Sequence, residues 1–541
     1  MSVPSSLLRV PIEVPNRSGH NMSHSNSFTG KTGTLIPVLC EELLPNDTIS
    51  LGSQLQVQLP PMVTDFYGKV DFVLEAFFVP NRLLWGGWQD FITHPTVNPV
   101  YPEGTPVEGK PSKVPSFFVS DDVYDISIDS LLHYLDYGSV IDQRSEGQVS
   151  VLPALAYHRI WDDWYRDSRV QAPLFYKAPF LSSGIIDDND DSAATNILSS
   201  LPFYSVFSNR TEFPDHEFSI FPDTPFYDGV KVSQLRQRNW VKDYFCTASP
   251  LPQAGGASEV QFDVSSAQET GAFSISTLRA ANSLQKWMER NNLAGYRYSD
   301  QIYSQFGIYP SDAIMDRPLY LGRNVQTVYN RSIFSTVDAS SETGGVLGTK
   351  GANSQVLGEG SLIDKFTASE HGFIMVLASL VPRPVYGSGA ERRNFRTSVG
   401  DFAFPLLAGM GDQAIYGREL TGQSIEVGTG YEFGYTDLYA EYKFRNDKVH
   451  GLLRDGENLE KFAIQRSFFG PQRISSDFLL IPTDYLDQVQ AVNTSAQGYT
   501  YWAQIYFPFK KISTIPAYSQ PTLADLDNAH TEYISRGGKR L

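Results

Sequence analysis

The segment YHRIWDDWYRDSRV (157–170) sets His158, Asp162, Asp163 and Asp167 among aromatic residues. A histidine beside carboxylates is the raw material of a metal site or of an acid/base pair. On a helix His158 and Asp162 are four residues apart, close enough for two ligands of one ion. The same spacing sets Arg159 against Asp163 and Asp162 against Arg166, so the arginines compete for those carboxylates. Tyr157, Ile160, Trp161 and Trp164 then fall on one side. The pattern predicts a structural helix, anchored by Trp161 and Trp164 and laced by two i,i+4 ion pairs worth ~0.2–0.5 kcal/mol each.

No other motif completes a catalytic, cofactor or metal site. TGKTG (29–33) has the Gly-Lys-Thr of a phosphate loop, but Ser25 stands where the first glycine belongs. GSGAERR (387–393) lacks the third glycine of a dinucleotide fingerprint, and His216 follows no pattern of a zinc protease helix because its second histidine is missing. DDNDD (187–191) has neither the glycine nor the distant glutamate of a calcium loop and reads as a solvated acidic turn. His371, ahead of an apolar run, has no partner nucleophile and reads as structural. The basic residues worth singling out are Arg392, Arg393 and Arg396 in one loop and Lys539 and Arg540 at the end of the chain. Each is a candidate for contact with nucleic-acid phosphate, which needs no base sequence. An ordinary solvated surface is the competing reading.

The elements that must position these residues are mostly strands. Aromatic residues make up 13% of the 541, with 42 Gly and 33 Pro, a balance that favours pleated surfaces joined by long turns. QLQVQL (54–59) alternates strictly and predicts a half-buried antiparallel strand. KVDFVLEAFFVP (69–80) puts Val70, Phe72, Leu74, Ala76 and Phe78 on one face. GFIMVLASLV (372–381) is apolar throughout, as a strand buried on both faces is. YTYWAQIYFPF (499–509) alternates again near the C-terminus. STLRAANSLQKWMERNNLAG (276–295) predicts a helix with Leu278, Ala281, Leu284 and Met288 on its stripe. Residues 1–30 are polar and aperiodic, and are expected to be an extended arm that orders only against neighbouring chains; its deletion is then expected to leave soluble protein that no longer closes shells. The rest, 31–541, is expected to be one β domain with a large insertion region at about 95–365, of which about 181–270 is the expected protrusion.

The formal charge is −17, which predicts a soluble chain whose average field repels nucleic acid. Two cysteines, Cys40 and Cys246, provide no disulfide framework. No apolar run reaches the roughly 18 residues that would span a membrane, and the first residues lack a secretory pattern.

Several blocks, in order, carry a family likeness. KVDFVLEAFFVPNRLLWGGWQDFIT (69–93), YHRIWDDWYRD (157–167), the segment 278–322, FTASEHGFIMVLASLVPRPVY (366–386) and FGYTDLYAEYKFRNDKVHGLLR (433–454) resemble the major capsid proteins of the Microviridae. RSGHNMSHSNSFTGKTGTLIPV (17–38) has the same character, and the length suits the gokushovirus-like branch. The resemblance implies an eight-stranded antiparallel viral jelly roll with large loop and helix-containing insertions. It implies a non-enzymatic structural protein that assembles in the bacterial host cytoplasm, sixty copies forming the T=1 capsid of the virion around a circular single-stranded DNA genome. It also implies a small basic DNA-binding viral protein and a bacterial surface receptor as partners, with no cofactor and no membrane insertion. A different reading of the same aromatics and acids is a carbohydrate-binding or carbohydrate-active β protein, which would need two carboxylates facing a cleft.

Overall fold

The computed structural model describes residues 17–85, 88–93, 114–117, 123–142, 149–174, 219–220, 230–251, 316–334, 350–407, 411–421, 431–468, 470–492 and 494–517, with isolated positions between. The acidic turn at 187–191, most of the expected protrusion, and Lys539 and Arg540 lie outside them. So does the helix expected over 276–295, except for Ser283 and Lys286, which are helical.

Eleven strands build the centre: β1 (Ser18–Asn21), β2 (His24–Gly30), β3 (Ile36–Leu43), β4 (Thr48–Gln58), β5 (Val70–Pro80), β6 (Leu319–Thr327), β7 (Tyr329–Phe334), β8 (Lys350–Thr367), β9 (Gly372–Pro382), β10 (Tyr501–Phe507) and β11 (Phe509–Ser513). They form two antiparallel sheets, so the described chain is mainly β. In the larger, β2, β10, β4, β8 and β7 lie side by side, while β11 and β1 continue from the other half of β4. In the smaller, the order is β6, β5, β9, β3.

Alternation explains the larger sheet. On β4, Leu51, Ser53, Leu55 and Val57 are buried and Gln54 and Gln56 are exposed. On β10, Tyr501, Ala503, Ile505 and Phe507 point in, and Trp502, Gln504 and Tyr506 point out. One face meets the core and the other meets solvent, as a period of two requires. Proline 508 divides β10 from β11, at the end of the ladder, where a missing N–H is tolerated.

The two central strands of the smaller sheet, β5 and β9, are buried along nearly their whole length, and β9 is accordingly apolar without alternation. Phe72, Leu74, Ala76 and Phe78 of β5 join Ile374, Val376, Ala378 and Leu380 of β9 in the core between the sheets. Phe77 and Val79, with Met375 and Leu377, enter a second core on the opposite side. Full burial of one such side chain contributes roughly 1.5–3 kcal/mol.

What fills that second core is the helical layer. The α-helix Leu152–Ile160 runs into one wider turn, Trp161–Tyr165, closed by the bond from Arg166 N to Trp161 O at 3.0 Å. The helix buries Leu152, Leu155, Tyr157 and Ile160. Its α-helical part begins five residues before the segment singled out in the sequence.

Residues 18–30 correct the expectation of an arm that orders only between chains. β1 pairs with β11 and β2 pairs with β10 within the same chain. The polar composition misled because β2 is a half-exposed strand, with Ser25, Ser27 and Thr29 facing solvent. Deleting 1–30 would therefore strip two strands from the larger sheet. Among the described residues, no helix is long and apolar enough to cross a membrane.

Candidate functional site

The segment 157–170 becomes a network with little left to offer an ion or a substrate. His158 is fully buried. Its Nε2 lies 2.9 Å from the Val232 carbonyl and its Nδ1 accepts from Arg236 Nε at 3.2 Å, which defines a neutral ring with its proton on Nε2. Burial, and then the charge of Arg236, push its pKa well below the usual histidine range. Asp162 pairs with Arg166 at 2.6 Å and also accepts from the Leu174 N–H. Asp163 pairs with Arg159 at 2.7 Å, and Asp167 with Arg169 at 2.8 Å. Among the described residues, no three His, Cys, Asp or Glu side chains converge as a metal site.

The two tryptophans clamp distant chain segments. Trp161 Nε1 donates to Gln237 O at 2.9 Å, and Arg236 stacks 4.8 Å over its ring. Trp164 Nε1 donates to Pro318 O at 3.0 Å, directly before β6, and Arg317 stacks 4.0 Å over it. Trp164 also packs against Phe77 and Tyr320. Beneath them, Glu75 of β5 accepts from Arg238 Nη1 at 2.7 Å and from Tyr165 Oη at 2.6 Å. Burial and then the neighbouring Glu75 charge hold the Tyr165 hydroxyl protonated, far above its ordinary range. Arg238 was not visible as a partner in the sequence because it lies 163 residues from Glu75.

The arginine loop divides in two. Arg392 donates to the Ala414 carbonyl at 2.6 Å and to Glu419 at 3.2 Å, and Arg396 donates to Glu441 at 2.7 Å. Both guanidinium groups are committed within the chain. Burial pushes the Glu419 carboxyl up. On Glu441, burial is outweighed by hydrogen bonds from Gln413 and Arg396 and by the Arg392 charge, so its pKa falls. Arg393 differs: it pairs with Glu391 but its side chain stays 61% exposed. Arg445 and Lys448, which sequence reasoning did not single out, meet the same Glu391 at 3.7 and 3.3 Å. These residues line a cavity of about 230 Å³ in which five cations face three carboxylates, a local reversal of the chain's net charge.

Cys40 and Cys246 are free thiols, and burial pushes both up to about 12. Neither has the low pKa of a reactive cysteine. His371 packs its ring against Trp88 at 5.7 Å and its carbonyl accepts from Asn81 N.

The geometry is therefore that of a packed scaffold with extensive surface. Comparison with known proteins agrees with that. The model of the capsid protein (F protein) family matches residues 9–523. The chain is 25% identical to capsid protein VP1 of Chlamydia phage 1, over 95% of this chain and 97% of the relative. It is 23% identical to capsid protein VP1 of Bdellovibrio phage phiMH2K (88% and 90%) and 24% identical to capsid protein VP1 of Spiroplasma virus 4 (94% and 95%).

Proposed function

The chain belongs to the capsid protein (F protein) family, and from that premise we propose that this major capsid protein closes into a T=1 shell of sixty copies around a circular single-stranded DNA genome. The observation that carries this reading is strand order. Taking β2, β3, β4, β5, β6, β8, β9 and β10 as strands one to eight, the larger sheet reads 1-8-3-6 and the smaller 2-7-4-5. Two interlocked Greek keys of this kind make a jelly roll, an architecture common to viral capsids.

Closed symmetry turns a few surface patches into a complete shell, since every copy repeats the same contacts. The long segments between β5 and β6 and between β9 and β10 supply surface beyond the sandwich for those contacts. A chain at −17 cannot neutralise a genome on its own, so a small basic viral protein shares the interior. Arg393 and Arg445, whose charges stay accessible, are better placed for phosphate than Arg392 and Arg396, which Glu419 and Glu441 neutralise. Lys539 and Arg540 remain candidates by charge. The outer surface meets a bacterial receptor, and assembly takes place in the host cytoplasm.

Negative-stain electron microscopy of the chain, expressed alone and then with the basic partner, tests this. Uniform closed shells are expected in at least one condition. Monomers in both conditions would sink the self-assembly reading.

A further inference from the structure

Exposed apolar side chains are ordinary on a folded protein when they stand singly. The segment after β9 departs from that. Val399 is 77% exposed, Phe402 51%, Phe404 44% and Leu406 93%, all within one short stretch. These fractions correspond to roughly 450 Å² of apolar surface in one place, a size at which an exposed patch marks a site of interaction. Little charge accompanies it. Between Thr397 and Leu407 the one ionisable residue is Asp401. Its carboxylate turns back into the loop and accepts from the Thr397 N–H at 2.8 Å and the Ser398 N–H at 2.7 Å.

The loop is fixed in shape. Ser398 and Asp401 cap the turn Val399–Asp401 reciprocally, and a second turn spans Pro405–Leu407. The base of the loop is clamped as well. The Arg418 guanidinium lies 3.8 Å over the Phe395 ring. Arg396 stacks 4.4 Å over Tyr442 while it donates to Glu441 at 2.7 Å. An apolar tip that is already held in one conformation loses little freedom on docking, which strengthens any contact it makes.

We propose that this tip is a contact between copies of the chain, with Val399, Phe402, Phe404 and Leu406 packing dry against a second copy. The inference rests on the reading of a closed shell. Charge selects the occupant. Two copies at −17 repel one another on average, so they approach most readily over a surface as sparse in charge as this one. A polyanion finds no cation between Thr397 and Leu407 to meet its phosphates. Area sets the strength. A stable complex buries ~800 Å² on each partner, about twice what the tip offers, so this contact alone does not hold a dimer in dilute solution. In a closed shell every copy repeats it, and the weak contacts act together.

The test uses the full-length chain under the conditions that give shells. Leu406→Asp, and separately Phe402→Ser combined with Leu406→Ser, are expected to abolish closed shells in electron micrographs. Both should leave folded monomers whose urea midpoint matches that of the unaltered chain, because the side chains removed are exposed. Leu406→Met should keep the shells. With p-benzoylphenylalanine in place of Leu406, irradiation of assembled material should link two copies of the chain, and this readout decides alone should a substitution impair folding. Shells of unchanged yield from the double serine variant overturn the assignment. So does crosslinking only to lipid, to nucleic acid or to another viral protein. The two failures are separable: shells from both the unaltered and the variant chains overturn this inference and leave the shell reading standing, whereas no shells from the unaltered chain removes the shell reading and this inference with it.

Discussion

The two sheets differ most in what lies on their outer faces. On the smaller sheet, Phe77 is 1% exposed beneath Trp164, Tyr165 and Tyr320. On the larger sheet, the outward Trp502 is 39% exposed. Both faces carry aromatic residues, so composition does not distinguish them. The difference is the helical layer: where Leu152–Tyr165 covers a sheet, its outer aromatics become core and serve stability. Where nothing among the described residues covers it, the same residue types are free to serve recognition. Substitutions should therefore cost stability on one face and leave it intact on the other.

The largest expected effect comes from the strands that complete the bare sheet. Deletion of residues 1–30 should abolish cooperative folding, seen as loss of the β circular-dichroism signal and of soluble protein, while deletion of 1–16 should leave both. A folded 1–30 deletion would mean that β1 and β2 are dispensable and that the arm expected from the sequence was the better description.

On the covered face, Phe77→Ala should lower the unfolding free energy by about 3–5 kcal/mol, the range for emptying a large aromatic site, measured by urea denaturation. Glu75→Gln should cost about 3–5 kcal/mol, because it leaves the Arg238 charge buried without its carboxylate. A loss below about 1 kcal/mol in either would mean that the helical layer is loosely docked.

A pH effect of intermediate size should also arise from the covered side. His158 is neutral when folded because its pKa is depressed. Below about pH 6.5 the unfolded chain binds a proton that the folded chain refuses. Stability then falls as pH falls, by up to about 1.4 kcal/mol per unit. Gln at 158 keeps a donor for Val232 and an acceptor for Arg236 but does not titrate. His158→Gln should therefore flatten the change in urea midpoint between pH 7 and pH 5.5; an unaltered slope would assign the effect elsewhere.

The smallest expected effect is on the bare face. Trp502→Ala should change stability by no more than about 0.5 kcal/mol, as exposed substitutions do. A cost near that of Phe77→Ala would show that the face is covered in solution, and would erase the contrast between the sheets.

Some of this was legible in the chain itself. β4 and β10 announced themselves because one wetted face imposes a period of two. β9 was legible as buried, since a continuous apolar run survives only where both faces are dry, and β5 was legible as a strand with one apolar face, the burial of Asp71 and Glu75 on its other face being decided by the fold. The pairs Arg159–Asp163 and Asp162–Arg166 were legible because helical spacing alone brings them together. What covers the second face of β5 was not legible, for the helix that does so is about 80 residues downstream and no local pattern names its target. The arm was misread for the same reason: β2 shows polar residues whose partner, β10, lies more than 470 residues away.

The sequence by itself thus determined periodicity, local ion pairs and the absence of a complete catalytic motif, all consequences of spacing within a few residues. Only the tertiary structure decided that Arg392 and Arg396 are neutralised by Glu419 and Glu441, that Glu75 meets Arg238, and that Trp164 packs against Phe77 and Tyr320 while Trp502 stays 39% exposed among the described residues. Each of these depends on which distant segments come into contact, and burial and charge take their energetic meaning from those contacts.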